Sequence, residues 1–298
     1  MTKDVNGVCN IVQINNPMLL KMADDKLYHF GMNKNGFDFQ KNFGDVKFVC
    51  TGGSSGRFEM YAKLFSEKTG LPLSPNLSKT DRFVMFKTGP VLWVNHGMGT
   101  PSMGIMLNEV LKLLNYAKAE NVCFVRIGTS GGVGVSPGTV VVSTGAINGA
   151  LEDFHWVFVN GKLVKHPAVI DLEFSKELYD TGLELGLNVV QGKTLCADDF
   201  YEGQMRLDGA FCNYTEEDKF AFLNTLKEKD VKNIEMEASA FCAITSRAHV
   251  KAAIVCVALL NRLKGDQVDI DHDTYIEYEM HPFKLITAYL CKKLNISK

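Results

Sequence analysis

Apolar positions along this chain fall into two alternating rhythms. From roughly residue 45 onward, short runs rich in Val, Ile and Phe are followed by stretches whose apolar residues recur every three or four positions. The first rhythm belongs to buried strands and the second to amphipathic helices. Residues 46–51 (VKFVCT) predict a strand. The helix after it carries Phe58, Tyr61, Leu64 and Phe65 at helical spacing and stops at Gly70. Residues 90–96 (PVLWVNH) predict a second strand, and Thr100-Pro101 reads as an N-cap and first-turn proline opening a helix to Leu114. Further strands are expected at 121–127 (NVCFVRI), 139–147 (TVVVSTGAI), 189–195 (VVQGKTL) and 252–260 (AAIVCVALL), with helices at 172–185, 216–229, 237–248 and 276–294. Such alternation implies an α/β protein on a mostly parallel or mixed central sheet, with ligands at the carboxyl ends of the strands. The first 27 residues show neither rhythm and are expected to form an extension over the surface.

Bulk properties narrow the function. The 298 residues are 46% hydrophobic, ample for one large core or two smaller domains. A formal net charge of -2 gives no reason to expect a nucleic-acid or anionic-membrane partner. The N-terminus lacks a basic segment followed by an apolar run, so no signal peptide is expected. The apolar run 252–260 is about half the length of a membrane span. Eight cysteines without a C-x-x-C pair read as reduced core thiols, not as a disulfide or zinc framework. A soluble, cytoplasmic protein is the expectation.

The polar motifs gather at predicted strand ends. TGGSSGR (51–57) follows the first strand, where the Gly53 backbone, a helix N-terminus and the Arg57 fork suit an anion. An ordinary glycine turn with a solvated arginine is the alternative. NHGMGTPSMGIMLNEV (95–110) contains G-x-G-x-x-S, but Pro101 and Ser102 break a dinucleotide fingerprint and no acidic residue follows at the usual interval. RIGTSGG (126–132) offers a guanidinium, two hydroxyls and exposed amides through Arg126, Thr129, Ser130 and Gly131, a cradle for a tetrahedral oxyanion. A tight turn with Arg126 in a salt bridge would use the same residues. In FYEGQMR (200–206), Gln204 offers both donors and an acceptor and Arg206 a rigid donor fork behind Phe200. Together they can read a ring with two carbonyls and one N–H, the edge that uracil presents. NIEMEAS (233–239) puts Glu235 and Glu237 on one face if extended, with Met236 opposite; acidic residues starting a helix are the plainer reading. His29 alone would be structural or superficial.

The order YH, GGSSGR, HGMGTPS, RIGTSGG, FYEGQMR, IEMEAS resembles that of the uridine phosphorylases, a branch of the nucleoside phosphorylase family that also holds the purine enzymes. The resemblance runs from about Tyr28 to the C-terminal helix. Gly97, Gly99, Pro101, Ser102, Gly104, Ile105 and Glu109 match the family signature, while Asn95 and Val110 depart from it at its edges. The chain's length and its N-terminal extension resemble the eukaryotic enzymes.

The resemblance implies an extension over residues 1–27 and one domain over 28–298, whose mixed sheet curls into a distorted barrel flanked by helices. It implies phosphate binding by Gly53, Arg57, Arg126 and Thr129, with Arg82 reaching in from a partner chain. Met236, Glu237 and Ser130 would hold ribose, with the partner's His29 near the 5′-hydroxyl. Phe200, Gln204, Arg206 and Gly131 would hold the base. Arg126, Arg206, Gln204 and Glu237 would carry catalysis. The implied reaction is reversible, inverting phosphorolysis of uridine in a homodimer, with inorganic phosphate as co-substrate and neither metal nor organic cofactor. Purine enzymes of the family place an Asp where Asn261 stands, and Asn cannot act as a general acid. A purine or methylthioadenosine phosphorylase, or a catalytically silent pyrimidine-binding paralogue, is the alternative.

Overall fold

A computed structural model describes residues 11–296. In chain order the strands are β1 (Lys26–Leu27), β2 (Met32–Asn33), β3 (Phe48–Gly52), β4 (Met85–Thr88), β5 (Val91–Asn95), β6 (Cys123–Gly132), β7 (Val140–Ile147), β8 (Phe154–Val159), β9 (Lys162–Pro167), β10 (Val189–Cys196), β11 (Val231–Glu235) and β12 (Lys251–Asn261). The α-helices are α1 (Phe39–Phe43), α2 (Ser55–Thr69), α3 (Gly99–Tyr116), α4 (Leu172–Glu184), α5 (Glu216–Glu228), α6 (Ala238–Arg247) and α7 (His272–Lys293).

The eight-stranded sheet has the order β11-β10-β7-β12-β6-β3-β5-β4, and an added β11–β6 pairing closes β6, β12, β7, β10 and β11 into a small barrel. The fold is thus the single α/β domain with a curled mixed sheet that the sequence implied. Closure depends on β6 running five residues past its expected end. Gly131 and Gly132 pair antiparallel with Ile234 and Asn233 of β11. Gly132 has no room for a side chain, since a Cβ there would lie 2.7 Å from Val135 and 2.9 Å from the Leu260 carbonyl oxygen, and a Cβ on Gly131 would press on Arg262 at 3.1 Å. RIGTSGG is therefore a strand, not the turn that its glycines suggested.

Successive residues of the central strands face two separate cores, as the strand period of two requires. Val49, Leu92, Val94, Phe124, Ile254 and Cys256 pack on one side with Met106, Leu107 and Val110 of α3 and Phe241 of α6. Cys50, Trp93, Val125, Ile127 and Val255 pack on the other with Phe58, Tyr61 and Phe65 of α2, Leu178 of α4 and Phe283 and Leu290 of α7. Inside the barrel a polar chain crosses from strand to strand. Ser143 meets Thr194 at 2.6 Å, Thr194 donates to Asn233 at 2.8 Å, Asn233 donates to Ser130 at 3.0 Å, and Ser130 donates to the Val257 carbonyl at 3.1 Å.

Several expectations are corrected. The helix α3 starts at Gly99, with Met98 in place of Thr100 as its N-cap and no side-chain bond from it. A carboxylate from elsewhere replaces that cap, as described below. The sequence reading passed over β4, which is a short edge strand, and the β8–β9 hairpin. The hairpin had a signal: Asn160-Gly161, both with positive φ, joins the two runs as such turns require. Cys50, Cys196, Cys242 and Cys256 are buried free thiols, but Cys212 is exposed. Of the expected extension 1–27, residues 1–10 lie outside the described residues; in 11–27, Val12 is buried, its carbonyl accepts from Asn115, and Asp25 pairs with Lys112 and Tyr116 of α3. Among the described residues no helix is long and apolar enough to cross a membrane.

Candidate active site

A cavity of about 440 Å³ opens at the carboxyl ends of β3, β6, β11 and β12. Its volume suits a small organic ligand. One wall is the β3–α2 turn with Gly53, Ser54 and Arg57. The Ser54 hydroxyl caps α2 by accepting from the Arg57 N–H. Gly52 makes the turn possible, because a Cβ there would sit 2.3 Å from the Ile127 carbonyl. The Arg57 guanidinium pairs with the Glu279 carboxylate of α7.

The second wall is β6. Arg126 and residues Gly128 to Gly131 line it. Arg126 is almost fully buried, and its Nη2 meets Glu235 at 2.6 Å and also the Glu237 carboxylate. Its Nη1 donates to Cys256 Sγ at 2.9 Å. Arg126 is thus in the salt bridge that the plainer reading expected, and it also lines the cavity. Ser130 gives its own proton to Val257, so toward the cavity it can only accept.

The third wall is the β11–α6 junction, with Glu235, Met236 and Glu237. The plainer reading of NIEMEAS holds, with both carboxylates at helix N-termini, while Met236 lines the same wall instead of facing the other way. Glu235 caps α6 by accepting from the Glu237 and Ala238 N–H groups at 3.1 and 2.9 Å. Glu237 accepts from the Gly99 N–H at 2.6 Å and so caps α3. Burial and the neighbouring Glu237 charge push the Glu235 carboxyl up, against Arg126. Burial also works to raise Glu237, but Arg126, His96 and the Gly99 N–H outweigh it and hold Glu237 below the usual carboxylate range.

The roof holds Phe200, Gln204 and Arg206 together with Leu259, Leu260, Arg262 and Val268. Asp208 grips Arg206 in a fork at 2.9 and 2.7 Å, and the guanidinium stacks over the Phe200 ring at 4.5 Å. Gln204 is buried; Arg262 donates to its amide oxygen at 3.3 Å and to its backbone carbonyl at 2.8 Å. Arg262 is itself anchored to Asp266 at 2.9 Å.

The cavity thus gathers Gly53, Arg57, Arg126, Thr129, Ser130, Gly131, Phe200, Gln204, Arg206, Met236 and Glu237. It does not include His29 or Arg82. His29 holds Glu109 through its Nδ1 at 2.7 Å and its backbone N–H, and the Arg82 side chain is 72% exposed beside Asp81. Sequence reasoning missed His96 and Arg262 as cavity residues. An arginine directly after a mostly apolar eleven-residue strand is a usable signal, though the strand's last residue is the polar Asn261. That side chain closes a turn, accepting from Gly134 and Leu263.

A model of the phosphorylase superfamily matches residues 47–290, and a Caenorhabditis elegans protein named uridine and thymidine phosphorylase is 53% identical over 96% of this chain and 97% of its own. The chain belongs to the uridine phosphorylase family. Mouse (Mus musculus) uridine phosphorylase 1 is 44% identical over 95% of this chain and 93% of its own. A Schistosoma mansoni uridine phosphorylase solved with uracil superposes with a TM-score of 0.91 at 41% identity, covering 95% of this chain and all of that one. A second Schistosoma mansoni relative, 38% identical over 97% of this chain and 99% of its own, is named inactive uridine phosphorylase B. The cavity joins a cationic end at Arg57 and Arg126 to a donor-rich roof at Gln204 and Arg206.

Proposed function

We propose that this chain catalyses the reversible phosphorolysis of uridine to uracil and ribose 1-phosphate. The observation that carries the reading is the shared cavity: the oxyanion cradle and the pyrimidine-reading loop open into one space, with Glu237 and Met236 between them. Gly53, Arg57, Arg126 and Thr129 hold phosphate, and Glu237 and the acceptor Ser130 take the ribose hydroxyls. Phe200 and Gly131 pack on the base. As the C1′–N1 bond lengthens the sugar gains oxocarbenium character, and the Glu237 carboxylate lends negative potential to it. Negative charge grows on the uracil carbonyls, where Arg206 and Gln204 donate. Phosphate attacks from the opposite face with inversion. The scheme uses no metal or organic cofactor, only inorganic phosphate as co-substrate.

The reading extends to a cytoplasmic homodimer in which the exposed Arg82 and the half-buried His29 of one subunit complete the partner's site. The test is ultraviolet measurement of uracil release from uridine with and without phosphate. Phosphate-dependent release is expected, with ribose 1-phosphate as the other product. Uridine binding without turnover would mark the chain as a silent paralogue. Thymidine belongs in the same panel, because the Caenorhabditis elegans relative is named for both nucleosides.

A further inference from the structure

His96 directly follows the strand β5 and lines the cavity beside Gly53 and Arg57, yet the scheme above gives it no part. Its ring lies with Cε1 4.0 Å from where a Gly53 side chain would begin. Its Nδ1 is 2.9 Å from the Gly97 carbonyl oxygen. A carbonyl only accepts, so Nδ1 carries the proton and Nε2 of the neutral ring presents a bare lone pair. Burial, reinforced by the Arg126 charge, lowers His96 from its ordinary value of 6.5 to about 3, which keeps the ring neutral. Nε2 is buried and has no hydrogen-bond partner among the described residues. The charged groups acting on the ring are Arg126 and Glu237. A histidine fixed in one tautomer by its own chain therefore places a neutral acceptor beside the arginines, where the other acceptors, Glu235 and Glu237, are carboxylates already paired with Arg126.

We propose that His96 is a specificity-determining residue of the oxyanion end, its Nε2 accepting the P–O–H hydrogen of monohydrogen phosphate. The inference rests on the phosphorolysis reading. A neutral, unpartnered acceptor beside the arginines selects an oxyanion that brings its own proton. Phosphate and arsenate do so at neutral pH. Sulfate does not, and it would set an oxygen lone pair against the nitrogen lone pair. The same bond orients the nucleophile: with its hydroxyl turned to His96, phosphate keeps its unprotonated oxygens for the arginines and for C1′.

The experiment is steady-state kinetics with phosphate varied and sulfate as competitor. In the wild type the sulfate Ki is expected to exceed the phosphate KM by at least about 10-fold, the scale of one charge-assisted hydrogen bond. Sulfate binding as well as phosphate does would overturn the proposal without any variant. His96→Asn keeps a donor for Gly97 and removes the group at the Nε2 position. It is expected to raise the phosphate KM about 10-fold, to leave the uridine KM within about 2-fold and to leave the sulfate Ki unchanged, so that the discrimination collapses. His96→Gln, which returns an amide oxygen near the Nε2 position, should recover part of it. Equal losses for phosphate and sulfate would reduce the ring to a structural role, and a loss confined to uridine would assign the lone pair to the sugar; either result overturns the proposal. Those outcomes leave phosphorolysis intact, whereas phosphate-independent uracil release by the wild type would end that reading and this one with it.

Discussion

At the scale of single residues, the cavity is shaped by what holds each functional side chain. Asp208 occupies Nε and Nη2 of Arg206 and leaves Nη1 for a ligand, while Phe200 fixes the plane of the fork. Asp208→Asn replaces a charge-assisted pair with a neutral one, and the uridine KM is expected to rise about 3- to 10-fold with the phosphate KM unchanged. Equal changes in both constants would show that the pair serves the fold alone. His96 also affects stability. Its folded pKa lies below its unfolded one, so the unfolded chain binds the extra proton between about pH 6.5 and pH 3, and stability falls as pH drops through that window. Between pH 7 and pH 5 this one ring should cost about 2 kcal/mol. Urea unfolding at the two pH values, compared between wild type and His96→Asn, measures it; the variant should lose less on acidification.

At the scale of elements, the alternation of strand and helix was legible because β3, β5 and most of β12 are apolar runs buried on both faces. The cradle glycines were legible as a site but not as a strand, since glycine signals turns by composition. Pairing on both sides makes them extended, with β12 and with β11 about a hundred residues away. Arg262 stayed hidden for a related reason: its value lies in gripping Gln204, which sits 58 positions earlier in the chain. The dual use of Glu235 and Glu237 was half visible, as two acidic residues before a helix, but the second helix that Glu237 caps begins 138 positions upstream. Gly128 shows how closely β6 positions its arginine. A Cβ there would stand 2.5 Å from Arg126 Nη1 and 3.1 Å from Cys256 Sγ. The obstructed atom is a side-chain tip, so Gly128→Ala should fold, with the guanidinium displaced. A fall in kcat/KM of at least about 10-fold, with a native circular dichroism spectrum, is expected. Unchanged kinetics would show that Arg126 tolerates the shift.

At the scale of the whole molecule, the sheet and its closed barrel bring every cavity residue expected of one subunit to a single end, while Arg82 and His29 lie elsewhere. A site shared across a symmetric dimer predicts complementation. Arg82→Ala and Arg206→Ala should each be nearly inactive alone. Mixed after co-refolding, they should recover about a quarter of wild-type activity, because half the dimers are mixed and each has one intact site. No recovery would confine the site to one chain. The cations around the cavity have a common feature. Arg57 is held by Glu279, Arg126 by Glu235 and Glu237, Arg206 by Asp208 and Arg262 by Asp266. An incoming anion must therefore trade places with, or crowd in beside, a resident carboxylate, and the net gain is the small difference between two attractions. Guests held on such terms depart readily, which suits a catalyst that must release what it made and run its chemistry in either direction as supply dictates.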